Sequence, residues 1–163
     1  MNITTAHPSE ADTLTGIAFA AKRHWGYPEH WIAHWHSLLT ITPASIAMNE
    51  TFVARAAGRI IGFAALAREG DVLCLNDLWV LPTEMGQGVG RALFRHAQRR
   101  ARALGFAAFE IESDPHAAGF YERMGAERIR THTTLLEGHP RELPVFCCHA
   151  SHESERNASP DYS

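Results

Sequence analysis

Apolar positions along the chain change period several times, and each change marks an element. Residues 2–6 read as a short strand. Pro8, Ser9 and Glu10 open a helix carrying Leu14, Ile17, Ala18 and Ala21 on one face, and Gly26 and Pro28 end it. Trp31, Trp35 and Leu38 recur at helical spacing over 29–39, and Thr42-Pro43 starts a short helical segment reaching 48. Period two then takes over. Residues 51–56 and 60–67 are β-rich runs joined by Ala57, Gly58 and Arg59, a hairpin signal, and 71–80 gives a third strand that Pro82 ends. Residues 88–104 form the most regular helix. Val89, Leu93, Ala97 and Leu104 mark its apolar face, Arg95, Arg99, Arg100 and Arg102 lie outside it, and Gly105 stops it. Residues 106–112 alternate as a strand, Pro115 falls in the first turn of a helix reaching Met124, and Gly125 stops that helix. Residues 127–136 and 142–149 are the last strands, with a turn at Gly138, His139 and Pro140. A meander followed by helix, strand, helix predicts a mixed α/β fold, antiparallel in front with a parallel crossover behind.

Composition narrows this picture. The chain has 163 residues, 45% hydrophobic and 20% charged, which fits one domain over 1–150. Residues 151–163 are polar and without apolar period, and are expected to be a flexible tail. A net charge of −3 lacks the polybasic signature of a nucleic-acid or membrane-surface partner. Three cysteines in no regular spacing point to a reducing cytoplasm rather than a disulfide framework. The first nine residues lack a leader pattern, and no apolar run approaches the ~20 residues that span a bilayer. The 11 His and 4 Trp are enriched and crowd between His24 and His36. His30 and His34 share a helix face, but no third and fourth ligand accompany them, so no metal is expected.

Candidate chemistry concentrates in 72–104. The loop Met85-Gly86-Gln87-Gly88-Val89-Gly90 follows a strand and opens the long helix. Alternate glycines let backbone N–H groups converge on a phosphate that the helix N-terminus also attracts, and Arg91 adds a cation. Two familiar phosphate loops do not fit. A dinucleotide fingerprint needs glycine where Arg91 stands, and a Walker loop needs a lysine that is absent here.

These residues resemble the GNAT acetyltransferase superfamily, whose loop is Arg/Gln-x-x-Gly-x-Gly/Ala after a strand ending Val-x-Pro. Val80-Leu81-Pro82, Gly88 and Gly90 match. Met85 departs from the usual Arg or Gln, a position that contributes mostly through its backbone. A second motif, Asn-x-x-Ala-x-x-Phe-Tyr-x-x-x-Gly, is met by Ala117, Phe120, Tyr121 and Gly125, with Asp114 in place of Asn. The element order agrees across roughly 2–149, and His24-Trp25-Gly26-Tyr27-Pro28 looks similar to a bacterial subgroup of mostly unassigned substrate.

The resemblance implies a mostly antiparallel, twisted sheet of six or seven strands with about four helices and a central V-shaped cleft. It implies direct transfer of an acetyl group from acetyl-CoA to the primary amine of a small molecule, both bound together. A homodimer is compatible with it. The CoA pyrophosphate would sit on the amides of 86–91, spanning Gly86, Gln87, Gly88, Val89, Gly90 and Arg91, with Met85 beside them. The pantetheine arm would add to the strand edge at Leu78, Trp79 and Val80, and the Val80 N–H would stabilise an oxyanion. Asp114, Phe120 and Tyr121 would complete the cofactor site. Tyr121 is the expected general acid, since a phenol stays protonated at neutral pH. Asp77 and Glu112 are the candidate bases, with Glu110 sharing the face of Glu112, and alternation sets Asp77 and Trp79 opposite Leu78 and Val80. His24, Trp25 and Tyr27 would wall the acceptor pocket, His24 also being able to act as a base. Two other readings stay open: a non-catalytic acyl-CoA-binding or regulatory module, and a loop for another nucleotide.

Overall fold

The computed structural model describes residues 1–151; most of the expected tail lies outside them. Seven strands form one sheet: β1 Asn2–Thr5, β2 Glu50–Ala56, β3 Arg59–Glu69, β4 Val72–Val80, β5 Ala108–Glu112, β6 Glu127–Leu136 and β7 His139–His149. Their order is β1-β2-β3-β4-β5-β7-β6. All pairings are antiparallel except β4 with β5. Helices are α1 Ala11–His24, α2 Glu29–His34, α3 His36–Leu39, α4 Pro43–Met48, α5 Val89–Ala103 and α6 Ala118–Arg123.

Two cores sandwich the sheet. On one face, Val89, Leu93, Phe94, Ala97 and Ala101 of α5 pack with Leu66, Leu73, Leu75, Phe109 and Phe146. On the other, Leu14, Ile17 and Ala18 of α1 pack with Ile32, Trp35, Val53 and Phe63. The glycine stops of α5 and α6 follow one geometry. Gly105 and Gly125 take φ +87° and +89°. Phe106 N–H reaches Ala101 O at 2.9 Å and Ala126 N–H reaches Tyr121 O at 3.0 Å, a Schellman closure in each case.

Three local expectations need correction. The helix expected over 29–39 divides at Trp35, which leaves helical geometry at ψ 7° to bury its ring. Leu38 consequently stands 77% exposed, off the core face. Leu104 caps α5 rather than lying on its apolar face, and is partly solvated. The last hairpin turns at Glu137-Gly138, with φ of +51° and +79°. Leu136 pairs directly with His139, so β7 begins three residues before 142 and includes Pro140.

Candidate active site

β4 carries an irregularity that builds the site. Its register with β3 slips by one between Leu75 and Asp77, leaving Asn76 as an extra residue. The bulge shifts the alternation by one residue, so apolar side chains on either side of it keep to one face. Leu73 and Leu75 before it, and Leu78 and Val80 after it, all face the α5 core. Beyond the bulge β4 also leaves β5: the one rung between them among the described residues is Cys74 with Glu110. Leu81 N–H bonds Ile61 O at 2.9 Å toward β3. By alternation the N–H groups of Leu78 and Val80 therefore point the other way, into the gap.

A cavity of about 530 Å³ fills that gap. Its floor is Leu75, Asn76, Leu78, Trp79 and Val80; one end is Met85, Gly86, Gly88, Gly90 and Arg91. Gly88 is the N-cap of α5 at φ +85°, and Gly86 stands at φ +78°. The first intrahelical bond runs from Ala92 N–H to Gly88 O at 3.0 Å. The N–H groups of Val89, Gly90 and Arg91 thus have no acceptor within the helix and form an anion cradle. Gln87 and Val89 do not line the cavity with their side chains. Gln87 donates to Thr83 O at 3.3 Å and Val89 is buried in the α5 core. A Cβ at Gly90 would touch the Phe120 ring at 3.5 Å, so glycine there keeps the wall thin where α6 crosses α5.

Tyr121 reaches the cavity from α6, its ring packed among Phe94, Phe120 and Phe146. Burial, then Cys148 and the carboxylates of Asp77 and Asp114, push its hydroxyl above the ordinary tyrosine value. It is therefore protonated at neutral pH and able to donate. The two candidate bases part company. Glu112 lines the cavity and pairs with His132 at 3.0 Å. Asp77 does not line it. Its Oδ1 accepts from the Trp79 indole at 3.0 Å on the α1 face, and burial raises its carboxyl despite that bond. Glu110 is held by Arg130 at 2.6 Å.

The family model described as an acetyltransferase (GNAT) domain matches residues 48–125, the span of this bulge, loop and α6. Over these residues the chain is similar to the GNAT acetyltransferases. Streptothricin acetyltransferase of Streptomyces lavendulae is 35% identical over 98 residues, covering 56% of this chain and 52% of that protein; the chain thus spans about half the length of this curated relative. Among solved structures, a GCN5-related N-acetyltransferase from Rhodopseudomonas palustris superposes with TM-score 0.75 at 21% identity, covering 91% of this chain and 94% of that one. The PaiA N-acetyltransferase of Thermoplasma acidophilum, solved with coenzyme A, gives 0.73 at 17% identity, covering 91% and 98%. YncA, a putative acetyltransferase from Salmonella typhimurium solved with acetyl-CoA, gives 0.69 at 18%, covering 100% and 99%. At these identities the likeness is one of fold.

On the far side of the cavity lies a cluster that sequence reasoning missed. Asp114 N-caps the turn before α6, accepting from His116 N–H at 2.9 Å. Its carboxylate also meets Lys22 Nζ at 2.6 Å, Tyr27 OH at 3.0 Å and Arg141 Nη2 at 3.3 Å. Lys22 and Arg141 further stack on the Trp35 ring, 4.1 and 4.8 Å from its centre. Burial alone would raise the Asp114 carboxyl. The Lys22 charge and hydrogen bond, with the His116 amide and Tyr27, outweigh it and hold the group at about 2. Burial lowers Lys22 more than Asp114 raises it, yet the convergence of donors on Asp114 keeps the pair ionised. Burial and the Asp114 charge push Tyr27 up to about 12.

Of the three residues expected at the acceptor wall, Trp25 lines the cavity, stacked on His116 at 5.2 Å and 11°. His24 is exposed and edge-on to Trp25, outside the cavity. Tyr27 is absorbed by the Asp114 cluster, and Trp31 and Trp35 pack in the α1 core. Asp114 touches the cavity, but its carboxylate is committed to the cluster rather than open to a cofactor amide. His116 was hidden as an unspecified position inside the second motif; its neighbour Asp114, departing from Asn, was the available signal.

Proposed function

We propose that this protein is an acetyl-CoA-dependent N-acetyltransferase that acts on the primary amine of a small molecule by direct transfer in a ternary complex. One observation carries the reading: a single cavity joins an anion cradle at the head of α5, an open β4 edge and the protonated Tyr121. Residues 86–91 would hold the pyrophosphate, and Leu78 and Val80 would bond the pantetheine amides as a missing strand does. The Val80 N–H would meet the oxyanion, and Tyr121 would donate a proton to the departing sulfur. The bound acyl-CoA supplies the activated acetyl group. Glu112, a carboxylate in the cavity wall, draws the acceptor's ammonium inward.

Trp25 gives that wall an aromatic face suited to a cationic acceptor. The similarity to a streptothricin acetyltransferase makes streptothricin the first acceptor to try, alongside spermidine and phenylethylamine. Among the described residues no helix is long and apolar enough to cross a membrane. The three cysteines are unpaired, which suits a reducing cytoplasm.

Acetyl-CoA at about 100 times its Kd should stabilise the fold by roughly 2.7 kcal/mol, read as a rise in Tm, while ATP and NAD should not. Thiol release with the three amines then measures transfer. Absence of any shift with acetyl-CoA would sink the reading.

A further inference from the structure

The second motif places a histidine where the cluster meets the cavity. His116 lines the cavity, is stacked on Trp25, and its side chain is 45% exposed. Its Nδ1 lies 3.0 Å from Asp114 Oδ1 and 3.0 Å from Tyr27 OH. The hydrogens in this group can be assigned by elimination. Arg141 Nη2 donates to the Tyr27 oxygen at 2.7 Å. The one hydroxyl hydrogen of Tyr27 goes to Asp114, whose oxygens at 3.0 and 3.1 Å only accept. Nδ1 therefore faces a carboxylate oxygen and a hydroxyl whose hydrogen is already used. Only an N–H at Nδ1 suits both neighbours. That fixes the neutral ring as the Nδ1–H tautomer and leaves Nε2, on the opposite side of the ring, as a bare acceptor.

We propose that His116 is the proton acceptor for the incoming amine. This rests on the acetyltransferase reading above. Asp77 is turned out of the cavity and bonded to Trp79, and Glu112 is paired with His132. His116 is the cavity residue whose free lone pair is set by a buried carboxylate behind it. Nε2 takes one proton from the acceptor ammonium and becomes imidazolium. The neutral amine attacks the thioester carbonyl carbon and a C–N bond forms. On collapse the C–S bond breaks and sulfur leaves with its electron pair. Tyr121 protonates the sulfur and is itself reprotonated by the second proton shed from the attacking nitrogen. The products are an amide, a free thiol and one proton on His116.

The groups facing the ring are Asp114 on its own turn, Tyr27 from the α1–α2 connection and the neutral Trp25. Lys22 of α1 and Arg141 of β7 stand behind Asp114 and Tyr27. The exposed edge of the ring gives the proton a way out to solvent.

Two measurements on the full chain test this. With ¹⁵N-histidine labelling, neutral His116 should show N–H at Nδ1 and a bare Nε2; an Nε2–H tautomer overturns the proposal. In thiol release with streptothricin, spermidine and phenylethylamine, His116→Gln should lower kcat about 100-fold and keep the acetyl-CoA-dependent thermal shift. Free imidazole should restore His116→Ala, which a merely structural role would not allow. A His116→Gln rate equal to wild type overturns this role and leaves the acetyltransferase reading standing. A wild type that releases thiol with none of the amines removes that reading and the role with it.

Discussion

Gly88 holds φ +85° at the cap of α5, with open space where a Cβ would stand. The space belongs to the cradle. Gly88→Asp would strain the backbone and aim a carboxylate at the pyrophosphate proposed to bind there. Calorimetry should then detect no acetyl-CoA binding; tight binding would show that the cradle lies elsewhere. Tyr121 tests the other end of the cavity. Tyr121→Phe keeps the ring packing on Phe94, Phe120 and Phe146 and removes one proton donor. Turnover should fall by about 100-fold or more, in the range of lost acid–base catalysis, with acetyl-CoA affinity nearly unchanged. An unaltered kcat would take the acid role away from it.

β4 is the element on which the site depends, and its contact with α5 is tight at one place. A Cβ on Gly62 of β3 would lie 3.0 Å from Trp79 O, 3.1 Å from Val89 and 3.2 Å from Leu93. Gly62→Ala should push the head of α5 from the sheet and cost about 1–3 kcal/mol, the usual range for overpacking. Urea unfolding with an unchanged m-value checks it. Much of this element was legible in the chain: Pro82 ending the strand and glycines opening α5 are local signals, fixed by backbone geometry. The bulge at Asn76 was not, because apolar residues at 73, 75, 78 and 80 look continuous until β3 shows which face each occupies. The break at Trp35 was equally hidden, since helical spacing cannot reveal that a ring must turn inward. The Asp114 cluster was beyond reach of any local pattern. It joins residues 22, 27, 114, 116 and 141, which only the finished fold brings together.

At the scale of the whole molecule, that cluster fastens α1 to β7 and to the turn before α6, across the cleft from the glycine loop. Held at about 2 against an ordinary 3.8, the Asp114 carboxylate contributes on the order of 2 kcal/mol at neutral pH. The sign follows from the lowered value. The contribution is fully present above pH 4 and is lost as pH falls toward 2, when the folded state must also take up a proton. Asp114→Asn should therefore lower stability at pH 7 by about 3 kcal/mol, because Lys22 and Arg141 are left without their counter-charge, and should flatten the acid limb of the stability curve. An unchanged acid limb would show that other carboxylates govern acid unfolding. Lys22 gives the cluster one more use. It is the sole lysine among 163 residues and is 7% exposed, with its amine enclosed by a carboxylate and two aromatic rings. An amine-reactive ester offered to the folded chain finds no accessible ε-amine, so the rate at which Lys22 becomes labelled is a clock for the opening of this one junction.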